Sequence, residues 1–261
     1  MSTTVDNITI TAMAVWLAVT VFWALRHKPS RYPLPLLILV VGSIPTGFAE
    51  PIWDLLVGVQ WFSAHDSVIT HTAFGRPIPL WMFFAYASWG GSMSYLTYVV
   101  AQKPRPVKNL WKLYGALVVV EFFAEWLILR FGLVGYFGAQ PFRLSSVTSP
   151  FMWPFTIVAS VMFVGLALDS FLSHTTGARR LLFLPAIPGL GMGFLVFAGW
   201  PEMLGVGMNL STPGMTCLAL VGLTITVATT QALFRMTERR KKAALPPETK
   251  TVEGTQYATK G

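Results

Sequence analysis

PGMTCLALVGLTITVATTQALF, residues 213–234, runs directly into RMTERRKK, residues 235–242. The first stretch holds no Asp, Glu, Lys or Arg and exceeds the roughly 20 residues needed to cross a hydrocarbon core about 30 Å thick. The second is a basic cluster of the kind that anchors a helix end on the cytoplasmic side. Six more stretches of this kind precede it: Thr9–Leu25, Leu34–Gly58, Pro79–Ala101, Leu110–Phe131, Phe151–Leu172 and Leu181–Trp200. The chain is 54% hydrophobic and only 11% charged, with a mean hydropathy of +0.58, which excludes an ordinary soluble domain of 261 residues. The expectation is an all-α polytopic membrane protein, with a seven-helix domain over residues 1–234. A basic cytoplasmic tail, residues 235–261, has no periodic apolar face and is expected to be disordered. Leu181–Trp200 contains Pro185, Pro188 and several glycines; six or eight crossings follow if it is re-entrant. Thr9–Leu25 has no basic residue before it and no small-residue cleavage pattern after it, so it reads as a retained helix rather than a signal peptide.

The positive charges test this count, because cytoplasmic loops carry the excess of Lys and Arg. With the N-terminus outside, Arg26, Lys28, Arg31, Lys103, Arg105, Lys108, Lys112, Arg179, Arg180 and every basic residue from Arg235 onward lie inside. Arg76, Arg130 and Arg143 lie outside. That is 16 against 3, summing to the 19 in the chain. The net charge of +8 is therefore a signature of orientation in a multi-pass cell membrane, not of nucleic-acid binding. Cys217 is the only cysteine, so neither a disulfide framework nor a cysteine-based metal site is available.

Ionisable groups within a membrane cost several kcal/mol each and mark function by default. They cluster here. Glu50 and Asp54 stand four apart in the second span, and Glu121 and Glu125 stand four apart in the fourth, so each pair shares a helical face. At about 1.5 Å per residue, Glu121 falls near mid-membrane and Glu125 about 6 Å further out, while Glu50 lies in the outer third. The outer loop WFSAHDSVITHTAFGRPIP adds His65, Asp66, His71 and Arg76, and the next outer loop adds Tyr136 and Arg143. The outer half is thus the chemical half. Asp54 and Asp66 also fit an interfacial position, and Glu50, which precedes a proline, also fits a role at a helix kink. Asp169 and His174 sit at the inner edge, where ordinary solvation accounts for them. His65 and His71 lack the helical i, i+4 spacing of zinc enzymes, and no metal site is predicted. The tryptophans, including Trp53, Trp61, Trp81, Trp126, Trp153 and Trp200, read mostly as an outer aromatic belt.

Burial disfavours the charged form of a carboxyl, and a neighbouring carboxyl reinforces the effect. Such a pair divides labour between giving a proton and steadying a cation, with aromatic walls adding cation–π stabilisation. That suits acid-catalysed ring closure of an apolar substrate through an oxocarbenium ion or carbocation. The same pairs are also compatible with Mg²⁺ chelation, with Arg76, Arg130 or Arg143 gripping a prenyl diphosphate, although ExxxD and ExxxE lack the denser aspartates of such sites. A proton-coupled transporter or sensor of a lipophile is a third reading, for which no inverted repeat is visible. A retinal receptor is disfavoured because residues 213–234 contain no lysine.

GFAEPIWD (47–54), FGRPIPLWMFFAYASWGG (74–91) and VEFFAEWLILRFGLVGYFGAQPF (120–142) resemble the AveC-like spirocyclases of actinobacteria, over roughly residues 35 to 200. The resemblance implies an integral-membrane enzyme that folds a polyketide-derived dihydroxy-ketone into a spiroketal, in some members with dehydratase activity. It singles out Glu125, Tyr136 and Glu50. The chain is shorter than the macrolide-pathway members, and its loop between the second and third spans has no cysteine. The substrate does not transfer with the fold. In general design, though not in motif, the chain is also similar to small seven-helix terpene cyclases that protonate an isoprenoid epoxide. The expected roles are protonation by Glu125 assisted by Glu121, cation balance by Glu50 or Asp54, and orientation of oxygen groups by Tyr136 and Arg76. Trp53, Trp126, Trp153 and His71 complete the expected substrate site. No cofactor is expected, unless Mg²⁺ accompanies a diphosphate; the partners are a lipophilic small molecule and the bilayer, and not nucleic acid.

Overall fold

The computed structural model describes residues 2–27, 33–62, 67–103, 106–142 and 150–243. It is predominantly helical, and helix occupies all seven expected stretches. Helix α1 is Ser2–His27. The second stretch is broken into α2 (Pro33–Ser43), a 3₁₀ turn (Ile44–Phe48) and α3 (Glu50–Val57), bent by 60°. Pro45 and Pro51 cause the break, since each removes a backbone N–H and neither can sit in the interior of a continuous helix without loss. Helix α3 stops at Gly58 in the left-handed conformation (φ 71°); a Cβ there would stand 2.8 Å from the Phe137 carbonyl oxygen, so only glycine fits both the turn and the close approach.

The third stretch runs α4 (Trp81–Ala85), a π-helical turn (Tyr86–Gly90) and α5 (Gly91–Ala101). Helices α6 (Pro106–Arg130), α7 (Met152–His174), α8 (Ala186–Gly207) and α9 (Thr212–Ala243) follow. Among the described residues, Asn7–Arg26, Met152–His174, Gly177–Gly207 and Thr212–Ala243 are long and apolar enough to cross a membrane, and the bent pair makes a fifth if it is one crossing. In α6, Glu121 and Glu125 lie between Lys112 and Arg130, so no stretch of it is both long and free of charge.

The prolines expected to interrupt the sixth stretch do not. Pro185 caps α8 and Pro188 lies in its first turn, where an N–H has no helical partner to lose, and a 3₁₀ turn (Gly177–Phe183) leads in. The basic segment after Phe234 also differs from expectation: α9 continues as helix to Ala243. The rest of the tail, residues 244–261, lies outside the described residues, as do His65, Asp66 and Arg143.

Among the described residues, two short antiparallel ladders, absent from the all-helical expectation, join loops at one end of the bundle. β1 (Val59–Trp61) pairs with β4 (Val134–Tyr136), setting Val59 opposite Tyr136, and β2 (Ile69–Ala73) pairs with β3 (Arg76–Pro79). Beneath them lies an aromatic core. Trp53, Trp61, Trp81 and Trp153 are buried rather than forming a belt, and they pack edge to face, Trp53 on Trp153 at 5.1 Å and Trp61 on Trp81 at 5.2 Å between ring centres. Trp126 and Trp200 are exposed, as a belt requires.

Candidate functional site

All four carboxyls picked out by their spacing are buried. In α3, Glu50 and Asp54 turn inward while Ile52 and Leu55 remain exposed on the other face. In α6, Glu121 and Glu125 turn inward while Val119 and Phe123 are exposed. The period of the helix thus delivers both pairs to the interior.

Three of the four carboxyls accept a hydrogen bond from an aromatic side chain. The Tyr86 hydroxyl donates to Glu50. The Trp61 indole donates to Asp54 Oδ2 at 2.9 Å. The Tyr136 hydroxyl donates to Glu125 Oε1 at 3.0 Å, and the Trp89 indole lies close to Glu121. Tyr86 and Trp89 both belong to the π-helical turn, and π turns recur at functional sites because the wider backbone re-aims side chains. Trp61 and Tyr136 belong to the paired strands β1 and β4. Among the described residues, no ion pair reaches Glu50, Asp54 or Glu121. Their charge is managed by neutral aromatic neighbours instead.

The two pairs converge. Tyr86 lies within electrostatic reach of Glu50, Asp54 and Glu121, and Glu121 within reach of Glu125. Asp54 Oδ1 and Glu121 Oε2 have no hydrogen-bond partner among the described residues, which leaves acceptor capacity facing the interior. Arg76, at the start of β3, acts on Asp54 through space without forming an ion pair. This arrangement can pass protons among neighbouring carboxyls and steady a positive charge placed between them.

The remaining expected residues fall into two groups. Trp53 and Trp153 pack in the aromatic core with Trp61, whose indole holds Asp54. Trp126 is not brought to the site: although it follows Glu125 directly, it is 40% exposed and stacks on Phe123 on the outward face of α6. One residue along a helix is a turn of about 100°, which carries a side chain off the inward face. His71 sits on β2, its ring against Phe48 and Phe83 and hydrogen-bonded to the Thr70 hydroxyl. Among the described residues, no three His, Cys, Asp or Glu side chains are grouped to hold a metal ion.

Two features escaped the reading of the sequence. Tyr86 and Trp89 are three residues apart in the third apolar stretch, and nothing marks them as neighbours of the carboxyls until the facing helices are known. Glu202 lies just past the end of the sixth apolar stretch in WPEML and is fully buried on α8. Neither of its carboxyl oxygens has a hydrogen-bond partner among the described residues. Space for it comes from Gly222 on α9, where an added Cβ would overlap the carboxyl. Asp169 also needs correction, because solvation does not account for it. It is only 3% exposed, and it is ion-paired to Arg240 and, at 3.0 Å, to Lys241, with Gln102 donating a hydrogen bond.

No protein-family model, no curated protein and no solved structure matches this chain.

Proposed function

We propose that this protein is a multi-pass membrane cyclase of the AveC-like kind, crossing the bilayer seven times with its N-terminus outside and its basic end in the cytoplasm. It closes a ring in a lipophilic polyketide or isoprenoid by redox-neutral acid catalysis. The observation that supports this reading is the convergence of two inward-facing carboxyl pairs, three of the four carboxyls oriented by a Tyr or Trp donor. In the reaction as proposed, a substrate hydroxyl adds to the ketone to give a hemiketal. Glu125, held by Tyr136, then protonates the hemiketal oxygen, which leaves as water. The resulting oxocarbenium ion is balanced by Glu50 and Asp54 while a second hydroxyl attacks it. The proton lost from that hydroxyl goes to Glu121 and returns to Glu125, so one water leaves for each spiroketal formed. With an epoxy-isoprenoid, the same acid opens the epoxide and the same carboxylates balance the carbocation.

The test is to incubate the full-length protein, reconstituted in lipid, with a linear dihydroxy-ketone, an epoxy-isoprenoid and a prenyl diphosphate, with and without EDTA. A metal-independent cyclic product is expected from one of the first two, reduced by about 100-fold or more in Glu125→Gln, as loss of a general acid requires. A product that needs a divalent metal would move the site to diphosphate chemistry. No product from folded protein would leave the carboxyls to proton-coupled transport.

A further inference from the structure

Away from the carboxyls, a groove of about 640 Å³ opens where Lys103, the first turn of α6 and the last turns of α9 meet. Its walls carry Lys103, Lys108, Lys241 and Lys242 against one acid, Glu238. Lys242 reaches Glu238 at 3.6 Å from an exposed position, and Lys241 leans on Asp169. Among the described residues, neither Lys103 nor Lys108 has a carboxylate partner. The groove therefore holds more positive charge than the protein neutralises.

Membrane orientation alone explains lysines in loops, but it does not explain a concave arrangement of them. Here the arrangement is built. Asp169, buried on α7, takes Arg240 and Lys241 of α9, and Gln102 at the end of α5 bonds both Asp169 and Lys241. These contacts tie the end of α9 to α5 and α7 and fix Lys241, which shares the groove with Lys103 and Lys108. A site with one of its cations already in place loses less freedom when it binds. Val107 and Pro106 add an apolar edge.

We infer that this groove binds a phosphate-type anion. An acidic phospholipid headgroup and a soluble phosphate or diphosphate offer the same chemistry, because basic pockets between helix ends recognise phosphate by charge. The full-length protein is placed in nanodiscs and in detergent. Retention of phosphatidylglycerol against phosphatidylcholine is measured by native mass spectrometry, and pyrophosphate binding is measured by calorimetry. Each lysine removed is expected to weaken binding about fivefold, so Lys103→Gln with Lys108→Gln weakens it roughly 25-fold. The paired Lys→Arg variants keep the site, and Arg179→Gln, a basic residue outside the groove, leaves binding within about twofold. Phosphatidylglycerol retained without pyrophosphate binding assigns a lipid; pyrophosphate binding without lipid preference assigns a soluble ligand. Binding of neither, or an equal loss in Arg179→Gln, overturns the inference.

Discussion

At the level of single residues, four buried acids set the character of the interior. Glu50, Asp54, Glu121 and Glu125 stand out because a carboxyl inside an apolar run has no ordinary reason to be there. Tyr86 and Trp61 do not stand out, because aromatic residues are common in such runs and their donor role depends on a facing helix or strand. Tyr136 is the most exposed to test. Phenylalanine in its place keeps the ring and removes the 3.0 Å hydrogen bond to Glu125, an interaction worth about 1 kcal/mol. Tyr136→Phe is expected to lower kcat roughly five- to tenfold with KM little changed, read in steady-state product formation. Glu202 escaped notice for a different reason: it follows a tryptophan and a proline at the end of a run, where interfacial charge is unremarkable. Its burial depends on the missing side chain at position 222. Gly222→Ala is expected to destabilise the fold by about 1–3 kcal/mol, the cost of overpacking, seen as a lower Tm in detergent.

At the level of elements, apolar length located every helix but not its character. Proline placement explains this: Pro45 and Pro51 fall inside the second stretch and bend it, whereas Pro185 and Pro188 fall at the start of α8 and are accommodated. The π turn at Tyr86–Gly90 has no signature in the residues that form it. Strands β1 and β4, three residues each, are too short for an alternating pattern to register. The end of α9 is ion-paired to a residue some seventy positions earlier in the chain, a link no local pattern contains. Asp169→Asn is expected to free Arg240 and Lys241 and fray that helix. Limited trypsin digestion should then cut between Arg239 and Lys242 faster than in the native protein, with cyclisation rates unchanged.

At the level of the whole molecule, the carboxyl cluster and the lysine groove mark different depths of α6. Lys108 and Glu125 are separated by roughly 25 Å at about 1.5 Å per residue, close to the thickness of a hydrocarbon core. The charge asymmetry of the sequence predicts which level faces the cytoplasm. In a Cys217→Ser background, Asn209→Cys is expected to react with a membrane-impermeant thiol reagent on intact cells, and Ala243→Cys only after permeabilisation. The reverse pattern would invert the orientation and place the acids on the inner side.

One of the ten tryptophans, Trp61, gives its indole N–H to a carboxyl, that of Asp54. Indole emission responds to the charge of its hydrogen-bonded neighbour, so the protein carries its own optical reporter at one of the four clustered acids. A lipophile that displaces that carboxyl changes the ultraviolet fluorescence without any added label, and Trp61→Phe removes the change.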